Sequence, residues 1–480
     1  MRSRTPAFIL LGVFALAQVG YVLAVPTFRG PDEFDHAYRA SSVAEGYWGA
    51  SQRVPAAGGG YLLKADESIP KAAFEACDLL SYPGPDNCVA VSPPDQDGLV
   101  DVASTAATYN PFWYYIAGNV AAPFSGDNFL LALRVANIFF VGVILFFALI
   151  QASGSDRPAW PLAGVTLAFT PIFGYSTTVA APNAVTYAAG VLLWTSALRV
   201  ASDSTPFRGS WVGVGVGASL VMLTHTTGLI FVPIVGVCIA FLLWPRRSLL
   251  AKKSLRQFSI VLVSVTVVGA LCAAWVLSAG TNDPRDSGDS FDTMPPDYAL
   301  RGPFLWFLQS IATLTFRNEG APVLVYAIGA AVIFPLLALA ARYSSNFQRW
   351  CLAGIVLSTF GVPLLLTLLT YENLGEAWQG RYALPLSVGA VLVSTHVLST
   401  ATALRDNWVL PSILASGLVA THGLTVIAMI RALRGPVSST QALFVVTLSL
   451  LAGGLIVWSL RTAAARGQGT LSTLVPTSSN

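Results

Sequence analysis

Charged side chains are scarce. Asp, Glu, Lys and Arg make up 11% of the 480 residues while 54% are hydrophobic, against roughly 25% charge in a soluble domain. This excludes an ordinary soluble protein and describes a polytopic membrane protein. Net charge is only +3, so no nucleic-acid partner is implied. The 5 cysteines and 4 histidines are scattered, without the spacing of a zinc site. No apolar span carries an acidic residue near its centre, and no internal repeat is visible. The usual marks of a transporter or flippase for a lipid or glycan, the alternative function, are therefore missing. The basic start Met1-Arg2-Ser3-Arg4 is not followed by a clean small-x-small cleavage site before Pro26. The run Pro6 to Val25 thus reads as an uncleaved first span, with about 20 residues for ~30 Å of hydrocarbon.

What is abundant is apolar sequence. It predicts an all-α polytopic membrane protein with about twelve transmembrane helices, near 6–25, 133–152, 159–177, 182–200, 211–225, 227–244, 258–280, 321–341, 350–370, 382–404, 408–430 and 439–460. The fifth and sixth are separated only by Thr224-His225-Thr226-Thr227-Gly228. The chain divides into a tail and first helix (1–25), a first extracytoplasmic loop with interfacial helices (26–132), helices 2–7 (133–280), a second long outer loop (281–320), helices 8–12 (321–461) and a disordered cytoplasmic tail (462–480). Short loops rich in Arg and Lys, the densest running from Arg246 to Arg256, put both termini in the cytoplasm. Of the 24 acidic residues, all but Asp156, Asp203 and Asp406 then face outward. Cys77 and Cys88 share the first outer loop, an oxidising location, and are expected to form a disulfide. In the second loop, Thr281 to Asp289 looks mobile, and Phe304-Leu305-Trp306-Phe307-Leu308 suits an interfacial helix.

The most chemically loaded stretch directly follows the first span: Gly30-Pro31-Asp32-Glu33-Phe34-Asp35-His36-Ala37-Tyr38-Arg39. A helix starting at Pro31 would put Asp32, Asp35 and His36 on one face. Phe34, Ala37, Tyr38, Ser41 and Ala44 would form a less polar stripe beside them. Acids after Pro commonly just cap a helix. At a membrane edge, Asp32 or Glu33 is also a candidate general base. The loop closes with Tyr109-Asn110-Pro111-Phe112-Trp113-Tyr114-Tyr115, largely an aromatic belt, from which Tyr109 and Asn110 are candidate substrate contacts. Arg134 reads as an interfacial anchor. Asn183 after Pro182 suits a helix cap or a ligand contact, and His225, His396 and His422 suit either packing or function. Gly154-Ser155-Asp156-Arg157 lacks the basic pair that would complete a major-facilitator motif. Late in the chain, Arg381 in Gln379-Gly380-Arg381-Tyr382-Ala383-Leu384-Pro385 either snorkels to headgroups or clamps a phosphate, with Gly380 permitting close backbone approach.

Three features together resemble the GT-C glycosyltransferases, and among them the predicted membrane proteins of domain-of-unknown-function family 2142. They are Asp32-Glu33 with His36 after the first span, Asn110-Pro111-Phe112-Trp113-Tyr114-Tyr115 before the second, and the Gln379 to Pro385 segment, and the likeness extends over roughly 6–405. The resemblance implies sugar transfer from a polyprenyl-phosphate donor to a glycan, lipid or protein acceptor on the outer face, typically with inversion, in cell-envelope glycan assembly. It implies Asp32 as base with Glu33 second, His36 orienting Asp32 or touching substrate, and Arg381 with Tyr382 on the donor phosphate. Asp35 departs from some relatives. It adds an oxygen donor of the kind Mg²⁺ or Mn²⁺ takes, in a cluster that is incomplete as a metal site.

Overall fold

The computed structural model describes residues 4–50, 53–54, 60–79, 90–202, 208–244, 252–280, 294–314 and 319–472. Cys88 lies outside them, and with it the expected Cys77–Cys88 pairing, as does the Thr281 to Asp289 stretch. Among the described residues, nine helices are long and apolar enough to cross a membrane, and three shorter apolar helices accompany them. The protein is a multi-pass, mostly helical membrane protein.

The chain enters through α1 (Thr5–Ala24) and leaves the bundle for an outer layer. That layer holds α2 (Glu33–Ala44), β1 (Arg53–Val54), β2 (Gly60–Asp66), α3 (Ser68–Leu79), β3 (Leu99–Ser104) and α4 (Pro111–Ala121). The strands form an antiparallel sheet of order β1-β2-β3, with Tyr61 opposite Ser104 and Asp66 opposite Leu99. This sheet corrects the purely helical expectation for the first loop. The strands are short and lie among Gly- and Pro-rich stretches, so their period-2 signal is weak. α2 differs too. From Glu33 to Val43 it is buried on every side, polar residues included, so it is a core element of the outer layer and not a half-exposed amphipathic helix.

The bundle proper begins with α5 (Gly126–Ser153), seven residues before the expected start at 133. The third span is broken into α6 (Ala159–Ala168) and α7 (Pro171–Ser176). Pro171 has no N–H to give and disfavours helix at the residue before it. A break at membrane depth must have its freed carbonyls satisfied. His422 Nε2 lies 2.8 Å from the Phe169 carbonyl, and its Nδ1 lies 3.1 Å from the Tyr21 hydroxyl. Because a carbonyl only accepts, Nε2 carries the proton and Nδ1 accepts from Tyr21. His422 is therefore a packed, structural histidine.

α8 (Asn183–Ser202) runs through the middle, buried along nearly all its length. α9 (Arg208–Thr224), α10 (Gly228–Leu243), α11 (Lys252–Ser278), α13 (Val323–Tyr343), α14 (Asn346–Leu374), α15 (Leu384–Thr400), α16 (Val409–Arg434) and α17 (Ser439–Ser472) complete the bundle. Between α11 and α13, α12 (Tyr298–Ile311) packs against the Gly380–Ala383 turn and α14. Phe304 and Leu300 are exposed while Trp306 and Gln309 are buried, the two-faced pattern of an interfacial helix. α17 continues to Ser472, into the segment expected as a disordered tail from 462, whose residues 473–480 lie outside the described residues.

Candidate active site

The residues singled out around Asp32 and Arg381 gather at one end of the bundle, where α1 ends and α2, α8, α10 and α15 begin. The keystone is Arg134. Its Nε and Nη2 donate to the two carboxylate oxygens of Glu33 at 2.8 and 2.7 Å, and Nη1 and Nη2 donate to the carbonyls of Val25 and Pro26 at 2.8 Å each. Both side chains are fully buried. Arg134 is thus no interfacial anchor. It caps the open carbonyl end of α1 and forms a bidentate buried pair, for which its planar fork is suited. Glu33 also accepts from Gly30 N at 2.9 Å and Ala180 N at 3.0 Å. With two hydrogen bonds from Arg134 and two from backbone N–H groups, Glu33 is built as a structural carboxylate.

Its neighbour is placed differently. Asp32 is not inside α2 as the Pro31 start predicts. It occupies the N-cap position at φ 55°, and its side chain makes no capping bond to the helix. Among the described residues, Phe28 and Asp32 are the non-glycine residues with positive φ, and both lie in the turn that Arg134 holds. Such strain persists only where surroundings over-determine it, and it concentrates at functional sites. Asp32 is half-buried and interacts electrostatically with Arg381, Tyr175 and Asp35.

Arg381 sits in a short 3-10 turn, Gly380–Ala383, that leads into α15. The turn is pressed onto α12. Gly380 N donates to Gln309 Oε1 at 2.7 Å, and a Cβ on Gly380 would come within 2.1 Å of the Trp306 carbonyl oxygen. Only glycine fits there. The guanidinium is buried and lies 5.5 Å from the centre of the Tyr382 ring, a cation–π contact. The hydroxyl of Tyr175, Nε1 of Trp378 and Oε1 of Gln379 are buried nearby in sequence or space without hydrogen-bond partners.

The remaining candidates divide. His36 Nδ1 lies 2.7 Å from the Tyr114 hydroxyl. Burial, opposed by Glu33 and reinforced by Arg381, pushes it down to about 3, so it is a neutral imidazole placed by Tyr114. His225 lies tilted against Tyr382, with ring centres 5.4 Å apart, and is pushed down to about 4 by burial and then by Arg381. Asp35 accepts from Thr105 N at 2.7 Å and Thr105 Oγ1 at 2.9 Å. Burial, then the charge of Asp32, raises it to about 6. Tyr109 lies against His36, and its carbonyl accepts from Arg39 at 3.1 Å. Asn110, expected as a substrate contact, caps α4, accepting from Phe112 N at 3.0 Å. Asn183 is half-buried at the head of α8. Tyr109, Asn110, Tyr114, His225 and Pro182 line a small cavity of about 60 Å³.

The donor set does not suit a divalent ion. The oxygens of Glu33 and Asp35 are already committed, and among the described residues no three His, Cys, Asp or Glu converge. Two contributors escaped sequence reading. Arg134 looks like any arginine at a helix end, and Tyr175 follows the Pro171 break with no distinguishing pattern.

The family described as "Predicted membrane protein (DUF2142)" matches residues 14–390. No curated protein matches in sequence. Among solved structures, the chain is similar to ArnT from Cupriavidus metallidurans bound to undecaprenyl phosphate. Identity is 13% over 96% of this chain and 77% of that one, with a TM-score of 0.44. It is also similar to the oligosaccharyltransferase AglB from Archaeoglobus fulgidus in complex with an inhibitory peptide and a dolichol-phosphate. Identity is again 13%, with coverage of 95% of this chain and 56% of that one and a TM-score of 0.43.

Proposed function

The chain belongs to the DUF2142 family of predicted membrane proteins, and we propose that it transfers a sugar from a polyprenyl-phosphate donor to an acceptor hydroxyl at the extracytoplasmic face. The acceptor is a glycan, lipid or protein of the cell envelope. The reading is carried by one observation: Asp32, in the positive-φ turn that Arg134 holds, and the buried guanidinium of Arg381, far apart in sequence, come near enough for their charges to be felt by each other.

Displacement at an anomeric carbon needs a base for the incoming hydroxyl and positive charge for the leaving phosphate. Asp32 takes the acceptor proton as the acceptor oxygen bonds to the anomeric carbon. The bond from that carbon to the donor phosphate oxygen breaks, and its electron pair leaves with polyprenyl phosphate, held by Arg381. A single displacement inverts the centre. Tyr382 fixes the plane of the guanidinium. Neutral His36, placed by Tyr114, is a hydrogen-bonding partner for substrate that adds no charge. Chemistry through a bound metal is not part of this scheme.

The test is turnover of a synthetic polyprenyl-phospho-sugar by purified protein. Asp32→Asn should lower turnover about a hundredfold or more while elution and thermal unfolding stay as in the wild type. Normal turnover would remove Asp32 from the mechanism.

A further inference from the structure

A second polar cavity, of about 560 Å³, lies at the end of the bundle opposite Asp32 and Arg381, where α5, α8 and α15 terminate. Its size is that of a small-molecule site. Three guanidinium groups line it, those of Arg157, Arg199 and Arg405, with His396, Gln348 and Ser399 between them. Among its lining residues Asp156 is the one acid.

The arginines are held in place from behind. Asp406, outside the lining, pairs with Arg157 and lies 3.5 Å from Arg405 Nε. One carboxylate thus gathers two cations side by side. Burial, then the neighbouring charge of Arg405, pushes Arg157 below the usual guanidinium range, the signature of like charges crowded in a partly desolvated place. Arg199 packs over Gly154, where a Cβ would lie 2.6 Å from its Nη1. The loop that carries Arg405 is fastened by Trp160 Nε1, which donates to the Leu404 carbonyl at 2.9 Å.

We propose that this cavity binds the phosphate group of an anionic ligand at the membrane surface remote from the active site. Forked guanidinium groups match tetrahedral phosphate oxygens. Arg157 and Arg405 lie on the connections that follow α5 and α15, the kind of basic segment that a lipid surface attracts, so a phospholipid head and a free phosphate ion are the two sources of that chemistry.

The test uses full-length protein in phosphatidylcholine nanodiscs, titrated calorimetrically with short-chain phosphatidylglycerol and, separately, with inorganic phosphate. Saturable binding is expected, weakened about tenfold or more by Arg405→Gln and by Gly154→Leu, and less by Arg405→Lys. Saturation by phosphatidylglycerol alone identifies a lipid head, and saturation by inorganic phosphate identifies a soluble ligand. In a variant-free check, the bound probe should protect Arg157, Arg199 and Arg405 of the wild type from phenylglyoxal, read by peptide mass. Absence of saturable binding by both probes, affinity unchanged in folded variants, or no protection would overturn the assignment.

Discussion

Arg134 and Glu33 show how one pair of residues sets the chemistry of a third. Breaking a buried ion pair by removing one partner costs about 3–5 kcal/mol, because the other charge stays buried. Arg134→Ala also uncaps the Val25 and Pro26 carbonyls. It should therefore lower the thermal unfolding midpoint of the detergent-purified protein sharply, whereas an unchanged midpoint would show that Glu33 is held by other means. Asp35 makes a prediction in pH. Folding raises its pKa from 3.8 to about 6, so the folded protein binds the proton more tightly than the unfolded chain does. The stability it contributes is complete below about pH 4 and is lost as pH rises through about 6. Wild-type unfolding temperature should carry this fall between about pH 4 and pH 7, and Asp35→Asn should flatten it. Identical pH profiles for the two proteins would contradict the buried-carboxyl reading.

At the level of elements, the contact between α12 and the Gly380–Ala383 turn carries the most consequence, because it sets where Arg381 stands. A methyl at position 380 cannot coexist with the Trp306 carbonyl at 2.1 Å, and neither backbone segment can rotate away as a side chain would. Gly380→Ala should therefore weaken donor binding by about tenfold or more through displacement of Arg381, even though it touches no ligand. Donor affinity measured on the reconstituted variant checks this, and wild-type affinity would contradict it. Much of this scale was legible beforehand. Gly380 beside Arg381 announces close backbone approach, and Phe304 to Leu308 announces an interfacial helix. Neither the break before Pro171, inside the expected span 159–177, nor its repair by His422 was legible, since nothing local to Phe169 or His422 records a contact between positions so far apart.

Across the whole molecule, the apolar spans were readable because membrane crossing demands long uninterrupted runs, and their order places Asp32 and Arg381 at the same end. The sheet of the outer layer was not readable, because short strands between Gly- and Pro-rich segments leave little periodic signal. The same limit applied to the active centre. Residue type and order pointed to Asp32 and Arg381, while tertiary pairing alone separates Asp32 from the equally acidic Glu33. The central claim is that these two distant residues meet on one lipid-linked sugar. The most direct test is a structure determined by electron cryomicroscopy with a non-hydrolysable polyprenyl-phospho-sugar bound. The account predicts phosphate density on the Arg381 guanidinium with the anomeric carbon turned toward Asp32. Density for the donor's phosphate and sugar away from Arg381, with its guanidinium bare, would contradict it.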